Sequence, residues 1–263
     1  MRKIDKIESE MNNALKTGEF KMYLQPKWDI VKDQLVGAEA LVRWIKPDGT
    51  IVFPSNFIPI FENNGFIEKL DFFMLETVCR EMKKRMDKGL SVCPVSVNQS
   101  RLLLHNPEYV NNVSKILRTY SIPRKYIELE LTETVFLDDR EKMLEMMNQL
   151  KEQHVRLSMD DFGSGYSSLN LLKDIPFDVL KIDREFFSEA ITSESSTWIL
   201  RKIVEMAEGL GIEVICEGVE TDEQIEILRT VGCHLVQGYY YSKPISLEEF
   251  IQKYGDMEPR KQA

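Results

Sequence analysis

Leu157-Ser158-Met159-Asp160-Asp161-Phe162-Gly163-Ser164-Gly165-Tyr166-Ser167-Ser168 joins an alternating apolar run to two neighbouring carboxylates and a loop with two glycines. Successive side chains of a strand point to opposite faces, so adjacent aspartates sit together only where a strand is ending. There the backbone can turn and aim both at one point, and Gly163 and Gly165 supply the torsional freedom such a turn needs. Taken alone, the stretch reads either as a turn capped by its own Asp and Ser side chains or as a metal site. The other strand ends of the chain decide between the two.

Upstream of it, strand Val155–Met159 follows helix Arg140–His154, strand Tyr126–Leu131, helix Pro107–Tyr120 and strand Pro94–Asn98. Earlier still are a long helix from Ile67 to Lys88, a short one from Pro54 to Asn64, and two strand-like runs, Lys21–Ile30 and Gln34–Trp44. The link Val31-Lys32-Asp33 between those runs is short enough to imply an antiparallel pair. Downstream come strand Phe177–Ile182, a short helix near Glu185, helix Thr197–Leu210, strand Glu213–Cys216, helix Asp222–Val231, strand Leu235–Tyr240 and helix Leu247–Tyr254. Strand alternating with helix implies a mostly parallel sheet. With both early runs counted there are eight strands, which predicts an α/β fold of the TIM-like (β/α)8 barrel class. An open doubly wound sheet is the alternative, but no Gly-x-Gly-x-x-Gly follows an early strand.

The 263 residues, 43% hydrophobic and 29% charged, suit one such barrel, which runs to about 250 residues. Residues 1–20 read as an amphipathic leading helix with Ile4, Ile7, Met11 and Leu15 on one stripe, 21–255 as the barrel and 256–263 as a polar tail. The helix either packs on the barrel or continues from an upstream module. No run of about 18 apolar residues exists and the N-terminus is too polar for a secretory signal, so a cytoplasmic segment that does not enter a membrane is expected. Cys79, Cys93, Cys216 and Cys233 lack Cys-x-x-Cys spacing and read as free thiols in a reducing compartment. A net charge of -9 argues against binding a nucleic-acid polymer. It leaves open a small phosphorylated substrate whose charge metal ions would offset.

The strand ends carry Glu39, Asn98, Glu130 with Glu133, Asp160 with Asp161, Lys181 with Asp183, Glu217 with Glu220, and Gln237. In a barrel these ends converge on one rim, where active sites of the fold lie. Single acids there are usually caps, but so many successive polar ends strain that reading. Carboxylates and an amide are hard oxygen donors that favour Mg²⁺ or Mn²⁺ over zinc. They are too many for one ion, and two cations about 3.5–4 Å apart can clamp a phosphodiester. Lys181 would orient the water or offset charge on the phosphoryl oxygens. Arg43 reads equally as a phosphate contact or a surface arginine. His105, His154 and His234 form no zinc motif, and neither a Gly-x-Ser-x-Gly elbow nor a phosphate loop is present. A Schiff base on Lys181 is opposed by the carboxylates, which would keep it protonated.

The motifs Gln25-Pro26, Glu39-Ala40-Leu41-Val42-Arg43-Trp44, Phe57-Ile58-Pro59, Ser96-Val97-Asn98 and Glu128-Leu129-Glu130-Leu131-Thr132-Glu133 occur in this order. They are followed by the Asp160–Ser168 stretch, Leu180-Lys181-Ile182-Asp183, Glu217-Gly218-Val219-Glu220-Thr221 and Gln237-Gly238-Tyr239. Together they resemble the EAL-type cyclic di-GMP phosphodiesterase family over about Tyr23 to Pro244. The resemblance implies a barrel with one antiparallel strand and two Mg²⁺ or Mn²⁺ ions that open cyclic di-GMP to linear pGpG. It implies that Glu39, Asn98, Glu130 and Asp160 ligate one ion, and that Asp160, Asp161 and Glu217 hold the other, with Asp160 bridging. Lys181 would position the attacking water, and Gln25, Arg43 and Gln237 would surround the substrate. Glu220 would support the site, and Glu133 would brace the Asp161–Ser168 loop, which in this family also couples the site to a homodimer interface. Some members have lost ligands and only bind the nucleotide, so a non-catalytic receptor is the alternative; every ligand position stands intact here. Members are commonly fused to sensory or cyclase domains, and the leading helix is expected to be such a connector. Departures are Gln99 in place of an apolar residue, Cys216 before Glu217, and His234.

Overall fold

The computed structural model describes residues 3–133, 140–163 and 175–255. Eight strands close into a barrel: β1 (Phe20–Asp29), β2 (Gln34–Ile45), β4 (Val95–Gln99), β5 (Ile127–Thr132), β6 (Arg156–Phe162), β7 (Val179–Ile182), β8 (Glu213–Cys216) and β9 (Leu235–Gln237). Strand β1 runs antiparallel to both its neighbours, β2 and β9, while the remaining contacts from β2 round to β9 are parallel. The hairpin β1–β2 follows from its link: Asp29 Oδ1 accepts from the amides of Val31 and Lys32, both at 3.0 Å. Asp33 takes the left-handed conformation that completes the reversal.

Helices α2 (Pro54–Asn64), α3 (Ile67–Met86), α4 (Tyr109–Thr119), α5 (Arg140–Glu152), α6 (Arg184–Ala190), α7 (Glu194–Gly209), α8 (Asp222–Val231) and α9 (Leu247–Tyr254) follow the strands. Their starts are legible chemistry. Pro54 opens α2, and Thr221 with Gln224 and Ser246 with Glu249 form capping boxes on α8 and α9. Buried apolar side chains on the outer faces of the strands pack against these helices in one continuous core.

The leading helix α1 (Lys3–Thr17) packs on the barrel. Its Ile7 and Ala14 are buried in an aromatic cluster with Phe20, Trp44, Phe57, Phe61 and Phe66, whereas Ile4 is exposed. Two short strands were not foreseen, β3 (Ile51–Val52) on β2 and β10 (Ile245–Ser246) on β1. Two residues are too few to show a period of two. Strand β9 stops at Gln237 rather than Tyr240, because Gly238 meets the backbone of Val219 and the chain turns there. The polar tail, the loop beyond Gly163 and the dimer contact expected through it lie outside the described residues. Cys79, Cys93, Cys216 and Cys233 are free thiols, three of them buried. Gln99, polar where an apolar residue was expected, is buried and accepts from the Tyr109 hydroxyl at 2.8 Å.

Candidate active site at the barrel mouth

Alternation along each strand decides what lines the inside of the barrel. Asn98, Glu130, Asp160 and Lys181 form an upper layer, with Glu39, Gln25 and Gln237 beside them on the antiparallel side. Register sets their heights: Asn98 lies opposite Glu130, and Gln25 opposite Glu39. Two residues below come Ser96, Glu128, Ser158 and Val179.

Lys181, 1% exposed, is the hub. Its ammonium lies 2.8 Å from Glu217 Oε1, 3.0 Å from Asp160 Oδ1, 3.1 Å from Glu130 Oε2 and 3.5 Å from Glu39 Oε2. Glu39 also accepts from Asn98 Nδ2 at 2.7 Å and from Gln237 Nε2 at 2.5 Å. Gln237 Nε2 donates to Gln25 Oε1 at 3.1 Å, and Gln25 Nε2 donates to the Ser242 carbonyl at 3.2 Å. Glu39, Glu130 and Asp160 each offer one oxygen within 4.8 Å of the others.

Asp160 joins the cluster through Lys181, and Asp161 follows it where β6 is no longer regular. Asp161 is left-handed, with φ 59°, and the pairing of β6 with β7 shifts between Met159 and Phe162. Such a bulge interrupts the strict alternation of side chains along the strand. The strand therefore runs through the aspartate pair instead of ending before it.

The electrostatics are those of crowded acids. Burial pushes the carboxyls of Glu39, Asp160 and Asp161 above the ordinary range, with neighbouring carboxylates adding to it. Burial raises Glu217 to about 8, again against the pull of Lys181. Glu130 differs. Burial pushes it up as well, but Lys181 and Lys27 outweigh that and hold it at about 2. Four hard oxygen donors driven toward protonation, chiefly by burial, beside a fifth held ionised are a donor set that a divalent cation would satisfy.

Arg43 lies at the rim, half-buried, with its guanidinium 5.7 Å from the Tyr23 ring centre. Glu133 is buried beside the end of β5, and the loop it was expected to brace lies outside the described residues. Glu220 stands apart from the cluster: its carboxylate turns outward to Arg184 at 2.9 Å, and both side chains are exposed. Arg184 in turn packs over Gly218, where an added Cβ would lie 2.3 Å from its Cγ. One charged participant escaped the sequence reading. Lys27, buried at 5% exposure, lies 2.9 Å from Glu130 Oε1 and 2.8 Å from Glu128 Oε1. Its signal was parity, since it lies two residues from Gln25 on the same strand.

The EAL domain family model matches residues 8–244. The chain belongs to the EAL domain family. Among curated relatives it is 35% identical over 251 residues to cyclic di-GMP phosphodiesterase NbdA of Pseudomonas aeruginosa, covering 94% of this chain and 32% of that protein. It is 33% identical over 242 residues to the bifunctional diguanylate cyclase/cyclic di-GMP phosphodiesterase MucR of the same organism, covering 92% of this chain and 35% of that one. This EAL domain therefore spans about a third of the length of the curated relatives it matches. Among solved structures, a MucR phosphodiesterase in complex with c-di-GMP superposes with a TM-score of 0.86 at 32% identity, covering 93% of this chain and 99% of that one. A FimX EAL domain of Pseudomonas aeruginosa bound to c-di-GMP shares the fold, with a TM-score of 0.83 at 20% identity.

Proposed function

We propose that this EAL domain is a phosphodiesterase that hydrolyses cyclic di-GMP to linear pGpG. The observation that carries the reading is the convergence on Lys181 of four carboxylates, from β2, β5, β6 and the end of β8. The names of the EAL relatives give the substrate. Glu39, Asn98, Glu130 and Asp160 would hold one Mg²⁺ or Mn²⁺, and Asp160, Asp161 and Glu217 a second, with Asp160 shared. Two such ions, when bound, supply a clamp on the phosphodiester and a water activated at neutral pH.

The chain's own residues do the rest. Lys181 donates from the centre of the carboxylate cluster, where its ammonium orients the attacking oxygen and offsets charge developing on the phosphoryl group. Asn98 and Gln237 fix both oxygens of Glu39 through their amide hydrogens, so that this carboxylate is aimed before anything binds. Gln25 locks Gln237 in turn. Arg43 at the rim offers a guanidinium fork to a phosphate entering the mouth. Free thiols throughout the described residues suit a reducing cytoplasm. Because the relatives are longer, an upstream sensory or cyclase domain acting through α1 belongs to the same reading.

Incubation with cyclic di-GMP and Mn²⁺, with products separated by chromatography, tests it. pGpG is the expected product. A folded sample that binds the dinucleotide and yields no product with any divalent metal would show a receptor instead.

A further inference from the structure

Glu130 is held from two sides. Its Oε2 faces Lys181 in the upper layer at 3.1 Å, and its Oε1 faces Lys27 in the layer below at 2.9 Å. Glu128, two residues earlier on β5, points the same way and takes a second hydrogen bond from Lys27 at 2.8 Å. The far oxygen of Glu128 lies 3.6 Å from Arg156 Nε. Two carboxylates stacked on one strand inside a closed barrel repel, and a single ammonium between them is what lets both stay ordered. As filler, an apolar side chain of the same length would pack there without the desolvation cost of a buried charge.

We propose that Lys27 is a positioning residue for the metal centre. From the barrel floor it engages one oxygen of Glu130, leaving the other as a single, fixed ligand oxygen at the mouth. The inference rests on the functional reading above only in taking Glu130 as a metal ligand. Lys27 touches neither substrate nor reacting atoms. Its effect passes through Glu130, as outer partners of metal-binding carboxylates act elsewhere.

The test is Mn²⁺ binding by calorimetry on the full chain, without substrate. Lys27→Met is expected to raise the Mn²⁺ dissociation constant about 10- to 100-fold, and Lys27→Arg, which keeps the positive charge and offers a fork of donors, to recover most of it. In turnover, the Mn²⁺ concentration giving half-maximal rate should rise in step, while KM for cyclic di-GMP at saturating Mn²⁺ stays within about twofold. If Lys27→Met fails to fold, Lys27→Met with Glu128→Gln removes the floor carboxylate that loses its closest partner and carries the same expectation. Unchanged Mn²⁺ affinity in either folded variant overturns the proposal. A wild-type chain that binds Mn²⁺ but leaves cyclic di-GMP intact overturns the hydrolytic reading alone, and calorimetry still decides Lys27. A wild-type chain that binds no Mn²⁺ overturns both.

Discussion

The mouth and the floor of this barrel each hold a buried lysine against glutamates, and they are built to opposite ends. At the floor, Lys27 and Arg156 face Glu128 and Glu213, and the charges balance within the protein. At the mouth, Glu39, Glu130, Asp160 and Glu217 all converge on the ammonium of Lys181, and only Glu130 among them also reaches Lys27. The apolar residues Val179, Ile215 and Leu235 line the floor cavity together with Lys27, Glu128 and Arg156. Buried charge that is paired serves architecture, whereas buried charge in excess needs a partner from outside. The excess at the mouth is what two divalent cations would cancel.

The largest effect should come from breaking the mouth at Glu39, which ties β2 to β4, β7 and β9. Glu39→Ala removes the acceptor shared by Asn98, Gln237 and Lys181. It is expected to lower kcat for cyclic di-GMP by about 10³-fold or more, the scale seen when a group acting in the transition state is lost. Steady-state hydrolysis with excess Mn²⁺ measures it. Residual activity within about tenfold of wild type would place the chemistry elsewhere.

Next comes Lys181→Met, which removes the buried cation that all four carboxylates share. In chelator the variant should lose about 3–5 kcal/mol of unfolding free energy, as a broken buried pair does. Added Mn²⁺ should return part of it, about 2.7 kcal/mol at a hundredfold excess over the dissociation constant. At the same Mn²⁺ concentration Lys27→Met should recover less, because its dissociation constant for Mn²⁺ is expected to be higher. Denaturant titrations with and without Mn²⁺ compare the two; equal recovery would erase the distinction between mouth and floor.

Much of this contrast could be read before the fold was known, and the part that could not has a physical reason. Polar residues at the ends of apolar runs are conspicuous, so Glu39, Asn98, Glu130, Asp160, Lys181 and Glu217 stand out in the sequence, as does the strand–helix alternation that brings them to one rim. Lys27 does not stand out, because a lysine in mid-strand is ordinarily a solvent-facing residue. Only a closed barrel turns its face inward. Glu220 differs in the opposite direction: it sits three residues from Glu217, but Gly218 between them is left-handed and the Glu220 carboxylate meets Arg184 on the surface. The strands β3 and β10 are defined by pairing alone, and pairing is a long-range fact.

A smaller effect is expected where the chain leaves the mouth. Gly238 approaches Val219 so closely that an added Cβ would lie 2.0 Å from the Val219 carbonyl oxygen. Backbone cannot swing aside as a side chain does, so Gly238→Ala should cost about 1–3 kcal/mol of stability. It should also shift Gln237 against Glu39. A melt unchanged from wild type would mean that β9 is not fixed by this contact.

The smallest expected effect separates backbone from charge on β6, the strand whose Ser158 belongs to the floor and whose aspartates belong to the mouth. Asp161 is held at φ 59°, a conformation that costs most L-residues about 1–2 kcal/mol but suits asparagine and aspartate. Asp161→Asn keeps that preference and loses the carboxylate; Asp161→Ala loses both. Both variants should lose turnover if Asp161 is a ligand, while in chelator only Asp161→Ala should be less stable, by about 1 kcal/mol relative to Asp161→Asn. Equal melting in chelator would mean that the bulge imposes no demand of its own on the residue at this position. The choice of aspartate at 161 would then rest on its carboxylate, and the irregular end of β6 would be a consequence of the site's chemistry rather than of strand geometry.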